Sequence, residues 1–330
     1  LPPWPPRVHF ALARDHRAAV REGVSVKRVI CVVGPTASGK TALAVGLART
    51  LGGEVVSADS MQVYRGMDVG TAKPTVEEMG GVRHHMLSVC NPCEPFSAGK
   101  YVEQAGPVVD DILARGRTAI LAGGTGLYLD SLISGREFAP EAPGGYRQTL
   151  EALDTAQLRE RLRRVDPESE ARLPDGDRRR MIRALEIYHR TGQTITEHDR
   201  LSRQQSPRYD AVWLGLDFAD RALLYGRIDR RVEQMVADGL LDEVRGLLQS
   251  GVPASATAMQ AIGYKEPLAA LRGEMTISEA VALIQQQTRR YAKRQRTWFR
   301  RNPAVQWILR DELDEAQILS AALALLRQTA

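Results

Sequence analysis

The stretch "GPTASGKT", residues 34–41, constrains the fold more than any other part of the chain. Gly34, Gly39, Lys40 and Thr41 fill the pattern G-x-x-x-x-G-K-[ST]. Such a loop wraps backbone N–H groups around phosphate, brings in a lysine ammonium and offers a hydroxyl to Mg²⁺. It works between a strand and a helix N-terminus, whose partial positive charge faces the anion. Both neighbours are present. "RVICVVG" before it is apolar and β-branched, as a buried parallel strand requires, and "KTALAVGLART" after it has helical character. A chance match in a surface loop would lack that context. Gly34, Pro35, Thr36, Ala37, Ser38, Gly39, Lys40 and Thr41 are therefore expected to cradle phosphate, with Thr41 as the ligand of Mg²⁺. Most loops of this kind hold ATP or GTP, and the rest of the chain must say whether this one does.

Further strands are expected at "EVVSA" (54–58), "TAILAG" (118–123) and "AVWLGLDF" (211–218), with a helix near 102–114. Strands alternating with helices indicate an α/β fold with a doubly wound parallel sheet, here a core like that of the P-loop NTPases. Between 138 and 208 the chain turns helical and charged, without strand signals, and its flanks "FAPEAPGG" and "RQQSPRY" are rich in Pro, Gly and polar residues. The expected organisation has four parts. Residues 1–26 form a flexible extension; 27–137 and 209–330 form the α/β core with a helical C-terminal region; 138–208 form an inserted helical domain. From 219 onward the pattern is almost all helix.

The extension, with four prolines in its first six residues, has neither a signal-peptide apolar core nor an acid-free transit composition. With 43% hydrophobic and 26% charged residues, and no apolar run near the roughly 18 needed for a bilayer, no membrane association is expected. Three cysteines make no disulfide framework, and "CNPC" (90–93) lacks a second Cys or His pair, so a reducing cytoplasm is expected and a metal there is not. A net charge of +5 leaves the nature of any acidic partner to its distribution.

Asp59 follows the second strand, at the carboxyl edge where open α/β sheets place ligands. A carboxylate there can take a proton from a nucleophile, although a turn-capping Asp is the plain alternative. "GGTGLY" (123–128) closes the third strand with glycines that permit close backbone approach, and with the hydroxyl of Thr125. No acid stands at that strand end, where a nucleoside triphosphatase usually holds its Mg²⁺, which hints at a different anion. Finally, "TRRYAKRQRTWFRR" (288–301) holds seven Lys or Arg and no acid. Arg289, Lys293, Arg296 and Arg300 are expected on one helical face, with Tyr291 and Trp298 on another. An acid-free basic face points to polyanion binding, and "DGDRRRMIR" (175–183) offers a second basic cluster.

Together "GPTASGKT", "SADSMQVYRGMDVGTAKP", "AGGTGLY", "RALEIY", "AIGYKE" and "TRRYAKRQRTWFR" resemble, in order from about 28 to 302, the tRNA dimethylallyltransferase family. The resemblance implies transfer of a dimethylallyl group from dimethylallyl diphosphate to N6 of the adenosine 3′ of the anticodon (position 37), in tRNAs reading codons that begin with U, with Mg²⁺. It implies that the phosphate loop cradles the diphosphate of an isoprenoid. Asp59 of D-S-x-Q becomes the general base, Gln62 a partner of the target base, and Thr125 and Lys40 part of the reaction centre. Arg227 is assigned to the diphosphate. The tRNA anticodon stem-loop would meet Asp59, Ser60, Met61, Gln62 and Thr125, then Arg147, Arg179, Arg180, Met181, Ile182 and Arg183 in the insertion. Arg289, Lys293, Arg294 and Arg296 in the basic helix would complete the contact. "DRRR" (177–180) departs from the family's D-P-Q-R, which puts the usual Gln contact in doubt. A monomer is the default. An ATP-dependent small-molecule kinase is the alternative for the loop and Asp59, and a non-catalytic nucleic-acid binder for the basic helix; neither accounts for both.

Overall fold

The computed structural model describes residues 27–136, 138, 145–204 and 206–329; the expected N-terminal extension lies outside them. The strands are β1 (Lys27–Val33), β2 (Glu54–Ser57), β3 (His84–His85), β4 (Ala119–Gly123), β5 (Tyr209–Asp217) and β6 (Val305–Leu309). They form one sheet in the order β3-β2-β4-β1-β5-β6, every pair parallel. Val32 of β1 stands opposite Ala122 on one side and Leu214 on the other. A central parallel strand is covered on both faces, which is why β1 reads as an unbroken apolar run. Val29, Cys31 and Val33 enter one core layer, while Ile30 and Val32 enter the other.

The helices of the sheet are α1 (Lys40–Leu51), α2 (Val76–Met79), α3 (Ala98–Ala114) and α4 (Gly126–Ser134). Leu43 and Leu47 of α1 cover one face; Tyr101 and Val109 of α3, with Leu129 of α4, cover the other. Then come α5 (Tyr146–Glu151), α6 (Thr155–Val165), α7 (Pro167–Arg172), α8 (Arg178–Thr191) and α9 (Ile195–Gln204). Leu150, Leu158, Leu162, Met181 and Leu185 give this helical group an apolar cluster of its own. After β5 follow α10 (Arg221–Ala237), α11 (Leu240–Gln249), α12 (Lys265–Leu271), α13 (Ile277–Phe299) and, beyond β6, α14 (Glu315–Gln328).

Two strands differ from expectation. β3 is only two residues long, too short for any periodic signal, and lies in a segment that reads as loop. β6 interrupts the region expected to be almost all helix; "VQWIL" extends the sheet beside β5, from Trp213 opposite Val305 to Asp217 opposite Leu309. Because all strands run parallel, their carboxyl ends lie along one edge. The chain leaves that edge at residues 34, 58, 86, 124, 218 and 310. Four of those exits build the site.

Candidate active site

The phosphate loop is shaped by close packing as much as by its own sequence. A Cβ on Gly34 (φ +142°) would sit 2.2 Å from the Leu216 carbonyl oxygen, and one on Gly39 (φ +88°) 2.0 Å from Nη1 of Arg310. Only glycine fits either place. The loop's carbonyls are held by cations. Pro35 O accepts from Lys40 Nζ (2.7 Å), Ala37 O from Arg227 Nε (3.0 Å), and Ser38 O from Arg310 Nη1 (2.6 Å). The Thr36 N–H donates to Gln295 Oε1 at 2.8 Å. Gly39 caps α1 without a side-chain hydrogen bond, so the first-turn N–H groups stay open to an anion.

A cavity of about 940 Å³ opens on this loop, lined by Thr36, Lys40 and Thr41 from the loop, Asp59, and the arginines Arg227 and Arg231 of α10. Burial, and then the neighbouring Arg231 guanidinium, push the Lys40 ammonium down to about 7, against a smaller opposing pull from Asp59. Arg231 is likewise lowered, first by burial. Desolvated cations facing one space constitute an anion site. A second cavity of about 320 Å³ shares Thr36, Asp59, Arg231 and Tyr291 with the first, and its remaining walls include Met61, Ile228, Val232, Ile262 and Ile284. The two spaces meet where the charged wall gives way to an apolar one.

Asp59 lies at that junction. Its Oδ1 accepts the N–H groups of Met61 (2.8 Å) and Gln62 (3.3 Å), which leaves Oδ2 uncommitted among the described residues. Thr125 comes beside it because Gly123 lets β4 press on β2: a Cβ there would meet Ala58 O at 2.1 Å. Thr125 Oγ1 accepts the Ser60 N–H at 3.0 Å. Tyr291 lines the first cavity beside Gln295, and burial pushes its phenol up to about 12, so it stays protonated at neutral pH. Gln62 reaches the site, but both ends of its amide are taken. Oε1 accepts from Ser57 Oγ (3.0 Å) and Nε2 donates to the carbonyls of Ala72 (3.2 Å) and Thr71 (3.4 Å). It braces the loop after β2. Glu243 of α11 clamps the same loop, accepting the N–H groups of Asp68, Val69 and Gly70 and the Tyr264 hydroxyl.

Lys40, Thr41, Asp59 and Arg227 thus line one cavity, and Thr125 is bonded to Ser60 in the turn beside Asp59. The expected basic face does not stay open. Arg296 is buried and donates to Asp217 Oδ2 (2.9 Å), Arg300 reaches the same carboxylate (3.1 Å), and Arg289 pairs with Asp229 (2.6 Å). The exposed side of α13 is turned by about one residue and carries Arg290, Lys293 and Arg294, with Arg301 just beyond. In α8 the side chains of Met181 and Ile182 are buried in the apolar cluster of α5–α9, whereas Arg179 and Arg180 are exposed. Arg147 pairs with Glu151 (2.9 Å) and Glu186 (3.1 Å). None of the insertion residues lines either cavity. Arg231, Tyr291, Gln295, Arg310 and Glu243 were not singled out by sequence reasoning as parts of the site. Each comes from far along the chain, and Tyr291 alone carried a signal, as an aromatic on the basic helix.

The residues fit Mg²⁺ of one kind only. Among the described residues no group of three His, Cys, Asp or Glu side chains could cage a metal. Thr41 faces the first cavity from the start of α1, a hydroxyl donor suited to Mg²⁺ held mainly by substrate phosphates.

The family model described as IPP transferase matches residues 62–302. The tRNA dimethylallyltransferase 1 of Pelobacter propionicus is 46% identical over 290 residues, 87% of this chain and 94% of that protein. The tRNA dimethylallyltransferase of Symbiobacterium thermophilum is 48% identical over 285 residues, 85% of this chain and 88% of that protein. Among solved structures, the tRNA isopentenylpyrophosphate transferase of Bacillus halodurans is similar with a TM-score of 0.70 at 40% identity, over 92% of this chain and 96% of that one. A eukaryotic dimethylallyltransferase acting on tRNA gives a TM-score of 0.80 at 27% identity, over 92% of this chain and 79% of that one.

Proposed function

The chain belongs to the IPP transferase family, the tRNA dimethylallyltransferases, and on that premise we propose how its residues carry the transfer. The donor is dimethylallyl diphosphate, and the acceptor is N6 of the adenosine 3′-adjacent to the anticodon, position 37, in tRNAs reading codons that begin with U. One observation carries the reading: a desolvated cationic cradle opens directly into an apolar-walled space, with a carboxylate where they meet. An isoprenoid diphosphate has that same division between its two ends.

In the reaction the C1–O bond of the donor breaks, a bond from N6 to C1 forms, diphosphate leaves, and the N6 proton passes to Oδ2 of Asp59. The loop N–H groups, Lys40 and Arg227 gain interaction energy as charge builds on the leaving group, which lowers the barrier. Bound Mg²⁺, held by Thr41 and the diphosphate, would neutralise part of that charge. Thr125, bonded to Ser60, and Tyr291 form the polar wall against which the adenine is oriented. The adenosine must leave its stack to reach them. Arg290, Lys293 and Arg294, with Arg179 and Arg180 of α8, take the phosphate backbone; Arg296 serves the fold.

The kinase alternative has less support. The carboxyl end of β4 bears no acid, and Asp217 at the end of β5 is committed to Arg296 and Arg300. No helix among the described residues is long and apolar enough to cross a membrane. The test combines the protein with Mg²⁺, dimethylallyl diphosphate and an anticodon stem-loop, and reads the RNA by mass spectrometry. One added dimethylallyl group, absent when the target adenosine is replaced, is the expected result. Diphosphate binding without transfer would overturn the acceptor, and ATP binding in preference to the isoprenoid would restore the kinase.

A further inference from the structure

Trp298 is a large aromatic side chain that the proposed chemistry does not use. It is 38% exposed, on the same turn of α13 as the cationic side. The Cδ1–Nε1 edge of its indole lies against the backbone of Gly126: a Cβ there would come within 2.2 Å of either atom. The indole N–H is satisfied by Asp130 Oδ2 at 2.8 Å. The ring is therefore fixed by its edge and its polar atom, and what remains exposed is apolar. Leu127, 41% exposed on the first turn of α4, adjoins it in sequence to Gly126.

Its place in the site gives this surface a meaning. Gly126 directly follows Thr125, whose hydroxyl accepts the Ser60 N–H beside the acceptor space. Arg294, one turn before Trp298, lines that space and stacks its guanidinium on Tyr291, 5.5 Å from the ring centroid. Arg301 stands three residues after, and residues 288–301 contain no acid. An apolar ring bordered by cations matches an unpaired base, which has an apolar face and a phosphate on either side. We infer that Trp298 is a stacking platform for an unpaired nucleotide adjacent to the target adenosine, one that takes over the stacking which the adenosine loses when it is drawn out. The inference rests on the RNA acceptor proposed above.

The test replaces each nucleotide flanking the target, one at a time, with fluorescent 2-aminopurine in the stem-loop, and follows its emission on binding. Stacking on the indole quenches one flanking position in the wild-type complex. W298A is expected to lose that quench and weaken stem-loop binding by about ten- to a hundredfold. Affinity for dimethylallyl diphosphate should stay within about twofold, which also reports that the fold is intact. W298F keeps a ring without the N–H and should retain both the quench and most of the affinity. D130N keeps the indole in place and should bind the stem-loop at least as well as wild type. No quench at any flanking position in the wild-type complex would overturn the inference, and that measurement needs no variant. W298F as weak as W298A would also overturn it, by showing that the tie to Asp130 is what matters. Failure of the wild-type protein to prenylate the stem-loop would instead refute the proposed function.

Discussion

Lys40 makes the binding of the donor dependent on pH in a way that can be worked out beforehand. Burial and Arg231 bring its ammonium from 10.5 to about 7 in the protein without a bound anion. A diphosphate beside it reverses the imbalance of charge and holds the proton, so the bound form carries a cation well above pH 7. Binding at higher pH must therefore draw a proton from solution. The free protein has about half of Lys40 protonated at pH 7 and about one part in a hundred at pH 9. Linkage then predicts that Kd for dimethylallyl diphosphate rises about fiftyfold across that interval. Isothermal calorimetry in buffers of different ionisation enthalpy should register uptake of about one proton per molecule bound at pH 8.5. K40R, which stays charged throughout, should abolish the slope and the uptake together. A Kd constant from pH 7 to 9, with no proton uptake, would refute the desolvated-cradle account of this loop.

Three further outcomes follow from the same contacts. D59N should keep the acceptor for the Met61 and Gln62 N–H groups but lose the base; single-turnover transfer should fall about 10²–10⁴-fold with diphosphate affinity nearly unchanged, and turnover near wild type would reassign the proton. D217N removes the charge paired with buried Arg296, so urea denaturation should show a loss of about 3–5 kcal/mol, and an unaltered midpoint would deny the anchor its role. Replacing Arg290, Lys293 and Arg294 together with Gln should reduce the slope of log K against log salt for stem-loop binding by about two to three, while a slope like that of wild type would move the phosphate contacts elsewhere.

What could be read from the chain depended on whether a feature carries its own context. The strand, loop and helix around Gly34–Thr41 are contiguous, so their hydrophobic pattern and glycines pointed to one geometry, and β1 and α1 form it. Asp59 and Thr125 were legible through position, since each ends a strand of a parallel sheet. The basic helix was not. Seven cations without an acid in 288–301 suggested an open face, but the acids that claim Arg289 and Arg296 are Asp229 and Asp217, about 60 and 80 residues away. Local charge cannot announce a remote partner. Met181 and Ile182 are buried for a different reason: they follow the arginines in sequence, yet the amphipathic period of α8 turns their side chains into the apolar cluster. β6 stayed hidden because five residues between two helical stretches leave little periodic signal.

The position of α13 explains why its basic side is divided between the fold and the surface. Its inner side carries Gln295, whose amide holds two loops at once, accepting from Thr36 N–H (2.8 Å) and donating to Gly124 O (3.0 Å). The amide does so with two separate atoms, an acceptor and a donor, and a Cβ on Gly124 would lie 2.0 Å from its nitrogen. One turn earlier Tyr291 lines both cavities, and the next residue after Gln295 is bolted to Asp217 at the end of β5. The helix therefore sets the distance between the phosphate loop and the acceptor wall, while its outer side presents the cations proposed for RNA. A helix transmits such positions rigidly, and a misplacement near 1 Å is enough to cost about a hundredfold in rate. Arg296 and Arg300, by tying α13 to Asp217 at the end of β5, would thus act on the proposed reaction through geometry, setting where an RNA held on the far side meets the donor.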